Sequence, residues 1–138
     1  MAFSYSVIKD GDRYVEVKCT NTGGAAGPEK IIDASTLNFS KQLDTELLKL
    51  VSFFVSADQD TKVYGRIFWA DAAGAVTTDP AVIFGNGLNG QNKLFVENDY
   101  PNSNGDVYFQ ADASTYTMIL TFQKVRGFYS STAKPWSE

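Results

Sequence analysis

Hydrophobic and polar residues alternate along much of the chain, and this two-residue period is typical of β-strands. The alternation is clear over residues 3–7, breaks at Asp10 and Gly11, and resumes over residues 15–20. An Asp-Gly pair tolerates the positive φ angles of a two-residue turn. The pattern therefore predicts an N-terminal hairpin, followed by a Gly-rich surface loop over residues 21–29.

The rest of the chain repeats this pattern in short runs separated by Gly, Asn, Asp and Pro. Residues 43–55 also suit one face of a helix, but the β-prone residues Phe53, Phe54 and Val55 favour a strand from about Leu47. Further strands are predicted at residues 63–70, 76–77, 81–84, 94–96, 107–111 and 116–123.

These short strands, without a convincing amphipathic helix, predict an all-β antiparallel sandwich or barrel. With 138 residues, the chain has the length of one domain. We predict a hairpin and flexible loop over residues 1–30, a β-sandwich over 31–125 and an extended tail over 126–138. The aromatic residues of this tail are expected to dock on a neighbour or on the domain itself.

Composition narrows the classes of partner. Twelve basic residues against sixteen acidic ones give a net charge of −4, which disfavours nucleic acid, because phosphate binding needs a basic face. No apolar run approaches the roughly 20 residues of a membrane helix. The N-terminus lacks the pattern of a secretory signal, so maturation in a cytoplasm is expected, with no membrane partner.

The chain has no histidine and a single cysteine, Cys19. It therefore cannot form an intramolecular disulfide, a zinc-thiolate cluster or a histidine-dependent nucleophile. Carboxylate or lysine chemistry remains, but no spacing locates it. The sequence predicts a protein that is not an enzyme and has no cofactor, no metal and no catalytic residue.

Gly85, Gly87 and Gly90 form a GxGxxG pattern of the kind found in dinucleotide-binding folds. That fingerprint works where its glycines lead into a helix that meets the pyrophosphate. Here a strand-like apolar run follows, so a hairpin loop is the preferred interpretation.

Two segments contain acidic residues at close spacing. Residues 98–106, "NDYPNSNGD", resemble a calcium loop but lack its first carboxylate and its bidentate glutamate, which leaves turn formation or an irregular site built from Asp99, Asp106 or Asp112. Asp58 and Asp60 are two residues apart, a spacing that favours a solvated turn over an acid-base pair.

Aromatic residues offer a binding surface. Trp69 lies on the opposite face of its predicted strand from Tyr64 and Phe68, so one face is core and the other is a candidate platform for sugar or a subunit interface. The candidate rings for stacking on a glycan are Trp69, Tyr100, Tyr108 and Trp136.

Two segments carry a family resemblance: "KIIDASTLN", residues 30–38, and "NGDVYFQADASTYTMILTFQK", residues 104–124. With the apolar strand pair and Gly-rich segment between them, they resemble small jelly-roll proteins that decorate or cement the capsids of tailed bacteriophages. This family supplies no catalytic residues, and the resemblance does not cover the hairpin over residues 3–20.

The resemblance implies a structural virion protein, made in the host cytoplasm and located on the capsid surface. It also implies a homotrimer that contacts the major capsid protein and bridges capsid subunits. The expected interface residues are Phe3, Tyr5, Phe128, Tyr129 and Trp136. The alternative functions are a carbohydrate-binding β-sandwich module and a receptor-binding virion protein, for which a glycan is the expected ligand.

Overall fold

Two antiparallel β-sheets pack face to face in this computed structural model. It describes residues 3–22, 26–41, 46–57, 63–71, 73–77, 80–85, 90–98, 103–112 and 115–128. The strands of this part of the chain are β1 (Phe3–Asp10), β2 (Tyr14–Thr22), β3 (Ala26–Ile32), β4 (Leu47–Ala57), β5 (Val63–Trp69), β6 (Val82–Gly85), β7 (Gly90–Glu97), β8 (Val107–Ala111) and β9 (Thr115–Arg126).

The strand order is that of a jelly roll. One sheet runs β1-β2-β9-β4-β7 and the other β3-β8-β5-β6. The antiparallel pairs β2–β9, β3–β8, β4–β7 and β5–β6 are nested, so the chain folds like one long hairpin wrapped around its own core. This confirms the predicted single-domain antiparallel β-sandwich of jelly-roll type.

The core lies between the sheets and is rich in aromatic rings. The ring of Phe3 stacks on Phe109 with centroids 5.4 Å apart, and Phe53 meets Phe84 edge-on at 4.8 Å. Each such pair contributes about 0.5–1.5 kcal/mol beyond the burial of its area. Because Phe3 belongs to β1, the N-terminal hairpin shares this core and is continuous with the sandwich.

The hairpin is confirmed, but its predicted two-residue turn is wrong. Residues 11–13 connect the strands, the Gly11 N–H donates to the Tyr14 carbonyl at 3.0 Å, and neither Asp10 nor Gly11 has a positive φ angle. With this three-residue connection, the Asp10 carboxylate points to the end of β9, where it pairs with Lys124.

Part of the predicted loop over residues 21–29 is a strand. Residues 26–32 form β3 and pair with β8, although Gly27 and Pro28 are poor strand formers. Pro28 has no backbone N–H to donate. It is tolerated because β3 is an edge strand, whose outer side pairs with no other strand of its sheet.

The GxGxxG segment joins the two sheets and is not a hairpin. Gly85 ends β6 in the four-stranded sheet, and Gly90 begins β7 in the five-stranded sheet. The predicted hairpin is therefore wrong, while the predicted absence of a strand-helix unit agrees with β7 following Gly90. Residues 86–89 lie outside the described part of the chain.

Within the described ranges, regular helix is limited to the 3₁₀ turn Ala34–Thr36. That part of the chain accordingly has no helix with the length and apolar character needed to cross a bilayer.

Candidate functional site

In strands β2, β9 and β4, the outward face of the five-stranded sheet is polar and rich in hydroxyl groups. Period-two alternation directs one set of side chains in β2, β9 and β4 into the core and the other set outward. Strand register arranges the outward residues in four rows: Thr20–Thr117–Ser56, Lys18–Ile119–Phe54, Glu16–Thr121–Ser52 and Tyr14–Gln123–Lys49.

Two aromatic rings project from this face. Tyr14 is 39% exposed and Phe54 is 41% exposed. They lie two strands and four residue positions apart, a diagonal of about 16 Å at about 3.3 Å per residue and about 4.8 Å between strands. The surface between the two rings consists mainly of the side chains of Thr121, Ser52 and Ile119. We call Tyr14, Phe54 and the residues between them the polar sheet face.

A bulge in β4 places Phe54 outward. The register of β4 shifts between Leu50 and Ser52, so that Leu50 and Phe53 both point into the core although they are three residues apart. Without this shift Phe54, rather than Phe53, would point inward with Leu50. Strict alternation from the start of the strand thus fails to identify the exposed ring.

A shallow depression lies at one corner of the same face. It is lined by Leu47, Leu48, Lys49, Asn98 and Val125 and has a volume of about 40 Å³. A site of this size holds water and cannot enclose a sugar ring. A ligand on the polar sheet face would therefore lie across its surface.

A buried lysine forms a separate polar cluster at the end of the sandwich that carries the β1–β2 turn. The Lys124 side chain is fully buried, and its Nζ donates to Asp10 Oδ1 at 2.7 Å, to Gly11 O at 2.5 Å and to Asn38 O at 2.7 Å. Three donors thus meet three acceptors, which satisfies the ammonium group. The rings of Phe128 and Phe39 lie 5.2 and 5.6 Å from Nζ.

A second cluster surrounds Asp106 in the loop that precedes β8. Its carboxylate accepts hydrogen bonds from Ala34 N–H and the Asn104 side chain, and it pairs with Lys30 Nζ at 3.1 Å. The hydrogen bond to Asp106 raises the pKa of Lys30 above its ordinary value. These contacts fasten the loop to the 3₁₀ turn and give Asp106 a structural role.

Two of the three carboxylates considered for calcium, Asp106 and Asp112, are engaged with protein groups. Asp106 pairs with Lys30, and Asp112 pairs with Arg66 at 2.8 Å. Within the described ranges, no three His, Cys, Asp or Glu residues come together in a cluster able to hold a metal ion. Asp58, Asp60 and Asp99 lie outside those ranges.

The aromatic residues singled out from the sequence occupy different environments. Trp69 is buried in the core and Phe68 is buried on the other face of β5, so neither forms an exposed platform. The hydroxyl of half-buried Tyr108 donates to Gly74 O at 2.6 Å. Tyr100 and Trp136 lie outside the described residues, as does the side chain of Tyr64.

The predicted interface residues are also divided. Phe3 and Phe128 are buried within the chain, so neither ring is exposed for a partner. Phe128 packs against the domain itself, which is one of the two outcomes expected for the aromatic residues of the tail, and its backbone bridges to Ser40. Tyr5 is exposed, and its role in an interface stays a prediction, whereas Tyr129 and Trp136 are not described.

Cys19 and Tyr116 form a buried pair of weak acids, and both are protected from ionisation. Burial raises the pKa of the Cys19 thiol from 9.0 to about 12. Burial, followed by the charges of Cys19 and Asp112, raises the pKa of Tyr116 well above its ordinary value of 10.0.

We expect the free energy of unfolding to decrease as the pH rises from about 9 towards 12. In that window the unfolded chain releases protons from Cys19 and Tyr116, whereas the folded chain retains them, so alkali favours unfolding. Urea midpoints across this range measure the effect, and Cys19→Ala should show a shallower decrease. Parallel curves for the two proteins would contradict the contribution of Cys19.

Comparison with known proteins gives weak structural likenesses only. No family model matches the chain, and no curated protein matches it. A family 29 carbohydrate-binding module, CBM29-2 in a mutant form, has a TM-score of 0.42 and 7% identity over 90% of this chain and 77% of that one.

Two further structures show similar values. KdgF from Halomonas sp. has a TM-score of 0.37 and 9% identity over 91% of this chain and 81% of that one. A cupin superfamily protein from Desulfitobacterium hafniense DCB-2 has a TM-score of 0.35 and 6% identity over 88% of this chain and 76% of that one. Likenesses with TM-scores below 0.5 are too weak to assign this chain a family or a function.

Proposed function

We propose that the chain is a non-catalytic carbohydrate-binding module that holds a glycan on the polar sheet face. The observation that carries this proposal is the exposure of Tyr14 and Phe54 on a face otherwise composed largely of Thr, Ser, Gln and Lys. A sugar ring presents C–H groups on its faces and hydroxyls around its edge. A surface that combines exposed aromatic rings with hydrogen-bonding side chains complements both parts.

The geometry favours an extended glycan over a single sugar. The two rings are separated by about 16 Å at standard strand spacings. Thr121 and Ser52 lie between them in adjacent strands and supply hydroxyl donors and acceptors. A chain of several sugar units would therefore contact both rings and the hydroxyl groups between them.

Removing either ring should weaken glycan binding at least tenfold, which corresponds to about 1.4 kcal/mol. The variants are Tyr14→Ala and Phe54→Ala, and the measurement is isothermal titration calorimetry with soluble neutral and acidic polysaccharides. Calorimetry does not depend on a tryptophan close to the ligand; Trp69 is buried in the core, and Trp136 lies outside the described residues. Tyr14→Phe should retain most of the affinity if ring stacking contributes more than the hydroxyl.

Ile83→Ala is the matched control. Ile83 is 54% exposed but belongs to β6 of the other sheet, so its loss should leave the affinity unchanged. Equal losses of affinity in Tyr14→Ala, Phe54→Ala and Ile83→Ala would show that the glycan does not bind on the polar sheet face. The absence of binding by the unmodified protein across the panel would overturn the proposal.

The second candidate function is a structural subunit of a phage capsid surface. One observation favours it: β1 exposes Tyr5, Val7 and Ile8 at a sheet edge, where a neighbouring protein could cover them. A capsid-binding isotherm discriminates between the candidates, because Tyr5→Ala would weaken attachment to a shell while leaving glycan affinity unchanged. The homotrimer and the contact with the major capsid protein remain predictions of the sequence resemblance.

A further inference from the structure

We infer that β1 pairs with β1 of a second copy of this chain, antiparallel and about a twofold axis at Tyr5. This inference is independent of glycan binding, which uses the outward side chains of β2, β9 and β4.

The exposed apolar side chains of β1 lie on the core side of the sheet. In the register, Tyr5 is opposite Cys19 and Val7 is opposite Val17. Cys19 and Val17 are fully buried, whereas Tyr5 is 43% and Val7 44% exposed. Tyr5 and Val7 therefore point towards the core side of the sheet, but the four-stranded sheet does not cover them fully. Their apolar surface is exposed to solvent.

Over its regularly paired residues 3–7, β1 also lacks the features that usually prevent strand pairing at an edge. Residues 3–8, "FSYSVI", contain no charged residue and no proline. The edge strand β3 of the other sheet contains Pro28 and two register irregularities, and its opposite edge β6 spans four residues. The fourth edge strand, β7, contains Lys93 and Glu97, so β1 offers the longest uninterrupted uncharged stretch of the four edges.

The register favours a second copy as the partner, because residues 3–7, "FSYSV", read nearly the same in both directions about Tyr5. This uncharged segment places no like charges opposite each other, whereas the net charge of −4 on each chain causes repulsion at longer range and weakens the dimer. Regular pairing in β1 runs from Phe3 to Val7 and shifts before Lys9. When this five-residue segment pairs antiparallel with itself, Tyr5 faces Tyr5, Phe3 faces Val7 and Ser4 faces Ser6.

These pairs place aromatic and β-branched side chains together on one face and serines on the other, which is a favourable cross-strand arrangement. A self-complementary patch generates a closed twofold dimer, whereas a threefold ring needs two different patches. A short strand pair also buries less than the roughly 1,200 Å² of stable interfaces, so the dimer should form weakly and depend on concentration.

The first test is molecular mass by sedimentation equilibrium over a concentration series reaching the millimolar range. We expect a reversible monomer-dimer equilibrium, and we expect Tyr5→Lys to lower the dimer association constant at least tenfold by placing two lysines at the twofold axis. The matched control is Phe54→Lys, which adds the same charge at a similarly exposed position in the interior strand β4. A monomer at all concentrations, a trimer, or equal effects of both variants would overturn the inference.

The second test reports the register directly. Oxidising an equimolar mixture of Ser4→Cys and Ser6→Cys proteins should give mixed disulfide dimer well above the 1:2:1 ratio of random pairing, since these positions face each other across the axis. Native Cys19 does not interfere, because it is buried and its thiol pKa is about 12. A statistical mixture of the three dimers, or no disulfide, would contradict the pairing.

Discussion

Replacing Gly105 by alanine is expected to destabilise the fold by about 3 kcal/mol or more. Gly105 has a φ angle of +85°, which an L side chain rarely adopts, and an added Cβ would overlap the Glu46 carbonyl oxygen. The same Cβ would lie 2.7 Å from the Glu46 carbonyl carbon and 3.2 Å from Ala34 Cβ. Because the nearest obstacle is backbone, relief requires the loop before β8 or the start of β4 to move.

Gly27→Ala is the control for this substitution. Gly27 is exposed in β3, and an added Cβ would meet nothing within 4 Å. The free energy of unfolding of the Gly27→Ala protein should therefore differ from that of the unmodified chain by no more than about 0.5 kcal/mol. Urea unfolding of the three proteins gives the comparison. Similar midpoints for Gly105→Ala and the unmodified chain would show that this contact relaxes easily.

The strands were predictable because the exposed and buried faces of a sheet require opposite chemistry. Residues 115–126 illustrate this: Tyr116, Met118, Leu120 and Phe122 point inward, as their alternation predicts. The start of β4 near Leu47 is also confirmed. In both segments the local sequence and the tertiary environment impose the same period, so local analysis is sufficient.

Features that depend on which strands become neighbours were not predictable in this way. Gly85 and Gly90 resemble the ends of a hairpin, yet the strands that they terminate belong to different sheets. Residues 26–29 have loop-forming composition but complete β3, because pairing with β8 outweighs their local preference. Non-local pairing determines both outcomes.

The candidate site was missed for a related reason. The alternation in β5 makes Trp69 a candidate for an exposed platform, yet its side chain points into the core. Tyr14 and Phe54 are ordinary strand residues until the register and the β4 bulge show that both face solvent on one sheet. The available signal was their position out of phase with buried neighbours, Val15 and Val55.

Lys124 shows how a charged residue can continue a core pattern. It occupies the next inward position after Phe122, and the structure buries it completely against Asp10. Its inward phase was visible in the sequence, whereas its partner, more than a hundred residues away, was not. A buried ion pair is costly to form but still more costly to break on one side, because the remaining charge loses its compensation.

Lys124→Met is therefore expected to cost about 3–5 kcal/mol of stability. Methionine fills a similar volume but leaves Asp10 Oδ1, Gly11 O and Asn38 O without the donor that joins the β1–β2 turn to β9. Arg66→Met is the control: Arg66 also pairs with a carboxylate, Asp112, at 2.8 Å, but the two side chains are 30% and 28% exposed, so a loss of at most about 1 kcal/mol is expected.

A double-mutant cycle isolates the ion pair with Asp10 from the other hydrogen bonds of Lys124. Asp10→Asn retains an acceptor oxygen but removes the carboxylate charge, so the buried ammonium of Lys124 loses its counter-ion. The combined Asp10→Asn and Lys124→Met protein should be more stable than the sum of the single losses implies, with a coupling of about 1–3 kcal/mol. Urea unfolding at neutral pH measures all four proteins. Additive losses would show that Lys124 contributes mainly through its hydrogen bonds to Gly11 O and Asn38 O, with little from the charge of Asp10.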